Sequence, residues 1–369
     1  MRIAVLVPAL AAHDAVSNDA LGIGAALRRF GHEVAVFAPH ARGVDEPVRP
    51  PGEIEAWLRS PRDVLLYHHC TAWDLALDLL RRVRARRVVR YHNVTPPEFF
   101  AGWSEAHVHA CARGRAELDD YAALGAELYL GASPFNLEDF TRRGVDPARC
   151  AVLPPFHPVE ALLAETAPSH RVPAANGATR LLMVGRIAPH KGDFTLIDVL
   201  AACRRAFDAR AELLRIGALD ASLAAYGDAL RAHAAATGVE TGVLALGGAG
   251  TADLRAAYAS ADALVVLSAH EGFCVPLVEA MALGLPVVAC DAGAIAWTLG
   301  DAGIVWPERD PHLFAATVAR LRADAELRDA LAARGRARYR EQFAPAALER
   351  GLRDALARLE RVAARTEAA

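Results

Sequence analysis

The chain has 369 residues, room for two domains with sizeable cores. Hydrophobic residues make up 53% and charged residues 23%, which excludes a disordered chain. A net charge of −3, from 41 basic and 44 acidic residues, excludes a general nucleic-acid binder.

Short apolar runs expected to be strands cover residues 3–7, 33–38, 64–67, 87–91, 127–130 and 151–153. Between them, residues 18–30, 71–82 and 105–124 carry helical periodicity. This βα alternation predicts a parallel sheet buried on both faces. Residues 157–177 hold several prolines and small residues without strong periodicity, so they read as linker. A second series follows, with strands expected at 180–184, 211–216, 243–246, 263–267, 286–289 and 303–306. After Asp310 the pattern is almost wholly helical, ending in an Arg/Glu-rich amphipathic helix at about 345–365. The expected division is a first domain at 1–160, a linker at 161–178 and a second domain at 179–344, with the terminal helix at 345–369. Two doubly wound α/β domains in tandem put a ligand cleft at the C-terminal ends of their strands.

The six cysteines form no CxxC pair and join no cluster with zinc spacing, which fits small buried residues in a reducing cytosol. The chain enters an apolar strand at once, so no signal peptide is visible. No apolar run nears the roughly 20 residues that span a bilayer. The expectation is a cytoplasmic protein, soluble or at most resting on a membrane surface.

Of the 41 basic residues one is lysine, Lys191, and the other 40 are arginine; alanine fills about a fifth of the chain. That composition fits a GC-rich genome in which lysine codons are scarce. It makes the surviving lysine worth locating. Lys191 closes the stretch Gly185-Arg186-Ile187-Ala188-Pro189-His190-Lys191-Gly192, which follows a strand and opens a helix. Arg186 offers a planar fork of donors and Lys191 a compact charge, a pair suited to a diphosphate at a helix N-terminus. The bland alternative is a solvated basic turn.

The sharpest constellation runs from His270-Glu271-Gly272-Phe273-Cys274-Val275-Pro276 to Glu279. Gly272 lets the backbone turn close to a ligand, and Pro276 suits a first helical turn. Backbone N–H groups of Phe273, Cys274 and Val275 then stand at a helix N-terminus, which favours anions and hydroxyl oxygens. Glu271 and Glu279 lie about two turns apart and can grip two different polyol groups.

These two constellations resemble the donor domain of the family 4 retaining glycosyltransferases, through the Glu-x7-Glu and Gly-Arg-x-x-Pro-x-Lys-Gly patterns. In the first half, Arg90-Tyr91-His92-Asn93-Val94-Thr95-Pro96 is similar to the Tyr-His-Asn-Ile-Thr-Pro stretch of a subset of that family. Asp14-Ala15-Val16-Ser17-Asn18-Asp19 and Gly131-Ala132-Ser133-x-x-Asn136 also match. The resemblance implies the GT-B fold: two Rossmann-like domains facing each other across a cleft, with the terminal helix crossing back to the first. It implies that Arg186 and Lys191, beside Gly185, hold the donor diphosphate. Glu279 would bind the ribose. Glu271 and the Phe273, Cys274 and Val275 amides would bind the sugar, with His92 near the reacting carbon. The turn 247–251, with Gly248 and Thr251, would lie along the base; Asp14, Asn18 and Asp19 would shape the first loop.

The implied activity is transfer of a hexose, mannose or glucose, from a GDP- or UDP-sugar. The acceptor would be a glycan or lipid-linked sugar of bacterial polysaccharide or lipopolysaccharide synthesis. The alternatives are a sugar-nucleotide epimerase or hydrolase and a catalytically silent nucleotide-sugar binder. No cofactor or metal is expected, because no carboxylate cluster of the DxD kind stands in a plausible loop. Ala296-Trp297 stand where the family often has Pro-Glu. Gly22-x-Gly24 falls inside a helical pattern and is set aside as a dinucleotide signal. His68 and His69 have no partner at metal spacing and read as structural or solvent-facing. Arg81, Arg82, Arg84, Arg86, Arg87 and Arg90 form a basic run, either a solvated helix end or a contact with anionic headgroups.

Overall fold

The computed structural model describes residues 1–12, 14–173 and 177–368. The chain divides into two compact units. The first comprises Met1–Pro97, His107–His157 and Phe343–Ala369; the second comprises Glu98–Ala106 and Pro158–Gln342.

The first unit is built on strands β1 (Arg2–Leu6), β2 (Glu33–Phe37), β3 (Val48–Arg49), β4 (Val64–His69), β5 (Arg86–Tyr91), β6 (Leu128–Gly131) and β7 (Cys150–Val152). They lie in the order β3-β2-β1-β4-β5-β6-β7, all parallel. Both faces are apolar because helices cover both. The pleat sorts side chains between them. Leu65, Tyr67 and Tyr91 join an aromatic layer with Trp57, Tyr121, Tyr129 and Phe140. Val64, Leu66 and Val88 join an aliphatic layer with helix α1 (Ala15–Arg29) and the terminal helix.

The second unit holds β8 (Arg180–Val184), β9 (Glu212–Ile216), β10 (Val243–Gly247), β11 (Ala263–Val266), β12 (Val287–Cys290) and β13 (Ile304–Trp306). Their order is β10-β9-β8-β11-β12-β13, again parallel throughout. In each sheet the connection reverses direction beside the first strand, between β1 and β4 and between β8 and β11. Chains leaving two such strands diverge, and a crevice opens at their C-terminal ends.

Within the second unit, helix α2 (Asp193–Ala206) follows β8, α3 (Thr251–Ser260) follows β10, and α4 (Val275–Leu283) follows β11. The terminal helix α5 (Pro345–Ala368) buries Leu348, Leu352, Ala355 and Leu359 in the first unit's aliphatic layer.

Two expected boundaries change. The expected linker at 161–178 begins inside a helix, Val159–Ala164, whose Val159 and Leu162 are buried, and Val172 is buried too. Apolar anchors at these positions make the segment part of the second unit; residues 174–176 lie outside the described residues. The segment Glu98–Ala106 also leaves the first unit, because its aromatic side chains find partners in the second. Trp103 meets Tyr226 edge-on at 5.1 Å between ring centres, and Phe100 packs against His190 at 5.8 Å.

Gly22 has a packing reason. A Cβ there would sit 2.4 Å from Cβ of Phe156, so α1 packs against the segment that follows β7 only without it. Alanine gains about 1 kcal/mol of helix propensity over glycine. The overlap should outweigh that gain, so Gly22→Ala is expected to destabilise the fold by about 1–3 kcal/mol. Urea unfolding measures it, and an unchanged or raised midpoint would contradict this packing account.

Candidate functional site

The site of the second unit lies at its switch point, β8 beside β11. After β8 the chain turns at Gly185, whose φ is +135°, passes Arg186 and closes a short 3-10 turn at Lys191. Gly192 then adopts φ +78°, and a Cβ there would fall 2.3 Å from the carbonyl oxygen of Leu267, just past β11. That backbone contact requires glycine, and it brings the two loops together. Lys191 Nζ donates to Glu271 Oε1 at 2.6 Å, and Ser268 Oγ donates to the same oxygen at 2.7 Å. The only lysine of the chain therefore meets the first glutamate of the Glu-x7-Glu pattern. Arg186 is exposed, and its guanidinium has no ion-pair partner among the described residues.

The turn carrying Glu271 is held firmly. Ala294 N–H donates to the Glu271 carbonyl at 2.9 Å, and a Cβ on Gly293 would sit 2.3 Å from that oxygen. Thr298 Oγ1 donates to the Phe273 carbonyl at 2.9 Å. Trp297 sets its ring 6.3 Å from that of Phe273. Cys274 caps α4 with φ +75°, a left-handed conformation that costs a non-glycine residue on the order of 1–2 kcal/mol. Val275 opens the helix and Pro276 follows in its first turn. Glu279 lies on the same helix, partly buried, and accepts from Tyr258 Oη at 2.5 Å. Burial raises its carboxyl pKa, and the Tyr258 hydrogen bond opposes the rise.

Gly248 and Thr251 flank the turn after β10. Arg171 pins that turn, donating to the carbonyls of Leu246 and Gly248 and pairing with Asp253 Oδ2 at 2.9 Å. Sequence reasoning missed Arg171, Ser268 and Tyr258. Arg171 stood in the expected linker, and a serine or tyrosine at a strand or helix end carries no spacing signal.

In the first unit, His92 follows β5 and its Nε2 lies 2.9 Å from Nδ1 of His68, at the end of β4. Asn93, next in chain, has φ +72°. It and Cys274 are the only non-glycine residues with positive φ among the described residues, and each stands in an expected constellation. Buried Asn136 supports the loop, donating to the Tyr91 carbonyl at 3.2 Å and accepting from Asn93 Nδ2 at 3.3 Å.

The expected first loop divides. Asp14 is the N-cap of α1, accepting from Ser17 N–H and Oγ at 2.9 Å each. Asn18 donates its N–H to the Asp14 carbonyl at 2.9 Å. Asp19 is not in the loop: α1 begins at Ala15, so Asp19 falls on its second turn and points into the unit. There it accepts from Arg90 Nε and from the Phe156 N–H, both at 2.8 Å. Asp19, His68 and His92 bring ligand atoms within 4.8 Å of one another. Arg90 already supplies the cation for that carboxylate, so the set does not fit a divalent metal. Neither His68 nor His69 faces solvent, and both are structural: the pleat sends His68 into this cluster and His69 to the opposite face. His69 Nε2–H donates to the Gly114 carbonyl at 3.0 Å, and its Nδ1 accepts from Tyr67 Oη at 3.3 Å.

The basic run is not a free patch. Arg81 pairs with Asp120, Arg82 with Glu55, Arg86 with Glu360, Arg87 with Glu127 and Arg90 with Asp19. Only Arg84 lacks such a pair among the described residues. No helix there is long and apolar enough to cross a membrane.

Residues 169–338, the larger part of the second unit, match the family described as glycosyl transferases group 1. Over 167 residues the chain is 32% identical to a D-inositol 3-phosphate glycosyltransferase of Jonesia denitrificans, covering 44% of this chain and 39% of that one. Over 105 residues it is 39% identical to the GDP-mannose:cellobiosyl-diphosphopolyprenol alpha-mannosyltransferase of Komagataeibacter xylinus, covering 28% and 26%. The matches span about a third to a half of the length of the D-inositol 3-phosphate glycosyltransferases. HepE of Anabaena, solved in complex with UDP-glucose, is similar over 97% of this chain and 99% of its own, with TM-score 0.75 and 20% identity. That likeness gives the fold as GT-B, with two Rossmann-like α/β units.

The buried histidines set an acid limit. Burial lowers the pKa of His69 to about 4 and pushes His68 and His92 down as well. The unfolded chain protonates them near 6.5, so protons favour unfolding between about 6.5 and 4. Stability is expected to fall across that window as pH drops, by up to about 1.4 kcal/mol per pH unit for each histidine. Urea midpoints at pH 7.5, 6 and 5 test this; His69→Gln should flatten the slope, and a midpoint constant with pH would contradict it.

Proposed function

We propose that the chain is a retaining, metal-independent glycosyltransferase that moves a hexose from a UDP- or GDP-sugar to a glycan or lipid-linked acceptor. The observation that carries the reading is the Lys191–Glu271 pair at 2.6 Å, at the switch point of the sheet matched to glycosyl transferases group 1. The relatives fit the substrate class: one is named for GDP-mannose, and the solved HepE complex holds UDP-glucose.

Cleaving a sugar from a nucleoside diphosphate builds negative charge on the leaving phosphate oxygens. Arg186 and Lys191 are the cations that meet this charge, with the α2 N-terminus behind Lys191. Groups fixed in advance act mainly in the transition state. Lys191 shares Glu271 with Ser268. As the ammonium turns toward phosphate, the carboxylate becomes an acceptor for a sugar hydroxyl. The diphosphate and sugar subsites are therefore neighbours. Glu279 uses Oε2 for Tyr258 and has Oε1 to accept from a ribose hydroxyl. In the first unit, His68 Nδ1 holds His92 Nε2 at 2.9 Å and fixes the orientation of the His92 ring.

A thermal-shift screen against UDP- and GDP-sugars should raise the melting temperature with at least one donor, since a ligand of the native state stabilises it by mass action. Lys191→Ala should cut transfer by about 10²–10³-fold while the protein stays folded. Glu279→Gln should raise KM for the donor about tenfold, because a charged acceptor is lost. Transfer unchanged in Lys191→Ala would remove the diphosphate assignment. Donor binding with no transfer to any glycan or lipid-linked sugar would favour a silent binder.

A further inference from the structure

Arg215 lies on β9 and faces α2 with its side chain 4% exposed. No spacing rule singles it out among 40 arginines. Its guanidinium makes four short contacts. Nε donates to Asp193 Oδ1 at 2.5 Å, Nη1 to the carbonyls of Gly185 at 2.6 Å and Ile216 at 2.9 Å, and Nη2 to the carbonyl of Arg186 at 3.0 Å. One planar fork therefore binds both carbonyls of the turn that bears Arg186, and the first residue of α2.

The approach is tight. Gly217, two residues on, has φ +152°, and a Cβ there would sit 1.7 Å from the Gly185 carbonyl oxygen. The turn is held against the end of β9 by the Gly217 backbone, which has no side chain in the way, and by the guanidinium. Gly185 N–H donates to the Ile216 carbonyl at 2.9 Å, and Ile187 N–H to the Ala218 carbonyl at 2.9 Å. In a trans peptide the C=O and N–H point in opposite directions. With the Gly185 carbonyl fixed on Arg215, the Arg186 N–H points away from it. That N–H has no hydrogen-bond partner among the described residues.

We propose that Arg215 is a positioning residue for phosphate: it fixes the Gly185–Arg186 turn so that the Arg186 N–H and guanidinium are presented together to a nucleoside diphosphate. This rests on the donor-site reading above and adds a residue to it. Asp193 holds the guanidinium from behind and balances its charge. Lysine cannot replace Arg215, because one ammonium cannot span two carbonyls and a carboxylate in that plane.

The test uses Arg215→Lys and Asp193→Asn in the full chain, with folding followed by circular dichroism and thermal melting. UDP, GDP, uridine and guanosine are titrated by calorimetry, and donor KM and kcat are measured. Loss of hydrogen bonds to a charged group should weaken binding of the preferred nucleoside diphosphate roughly tenfold in Arg215→Lys, and less in Asp193→Asn. Binding of the nucleoside alone should not change. Arg186→Ala combined with Arg215→Lys should lose little more than Arg186→Ala alone, since both act through one turn. Equal diphosphate affinity in folded Arg215→Lys, or full additivity in the double variant, overturns the inference. Failure of both single variants to fold overturns it in favour of a purely structural role. If the unaltered protein binds neither UDP nor GDP, the donor-site reading falls and this inference falls with it.

Discussion

The second unit depends on one backbone contact, Gly192 against the carbonyl of Leu267. In a parallel doubly wound sheet, strands far apart in sequence become neighbours where the winding reverses. Here β8 and β11 are those neighbours, and the loops leaving them carry the two charged constellations. A side chain at position 192 would push the loops apart by the width of a methyl group or more. Without one, Lys191 reaches Glu271 across 80 residues of sequence, and Ser268 completes the arrangement. The charges converge because the topology forces the loops together.

The first unit solves a different problem at its own switch point. A carboxylate, a guanidinium and two imidazoles are buried near the C-terminal ends of the central strands β4 and β5. Buried charge is costly unless paired. Asp19 and Arg90 neutralise each other at 2.8 Å, and the two histidines stay neutral beside them. The arrangement orients His92 while leaving it uncharged. Beyond the histidine, Asn93 takes a left-handed backbone that Asn136 supports. Strain of this kind persists only where surrounding contacts over-determine it, and Cys274 shows the same feature in the second unit.

Much of the fold is legible in residue order, because strands buried on both faces leave continuous apolar runs. Each expected strand sits within about two residues of an observed one, for instance 180–184 against Arg180–Val184. The expected linker failed because proline and alanine dominate its composition while Val159, Leu162 and Val172 anchor it. The excursion Glu98–Ala106 was illegible for a related reason: Phe100 and Trp103 signal burial without saying where. The candidate site was half legible. Glycines, a lone lysine and paired glutamates leave a pattern, whereas Arg215, Asp193, Arg171 and Tyr258 act through contacts more than 20 residues away.

The sequence by itself determined the alternation of strands and helices, the positions of the turns and the chemistry placed in them. Those follow from local physics: period, backbone freedom and side-chain type. Tertiary structure decided which charges meet. It paired five of the six arginines of the 81–90 run with acids distant in sequence, turned Asp19 inward, and set one arginine of forty beneath the Arg186 turn. The reason is that charge pairing depends on distances of a few ångströms, which strand order sets and linear spacing does not.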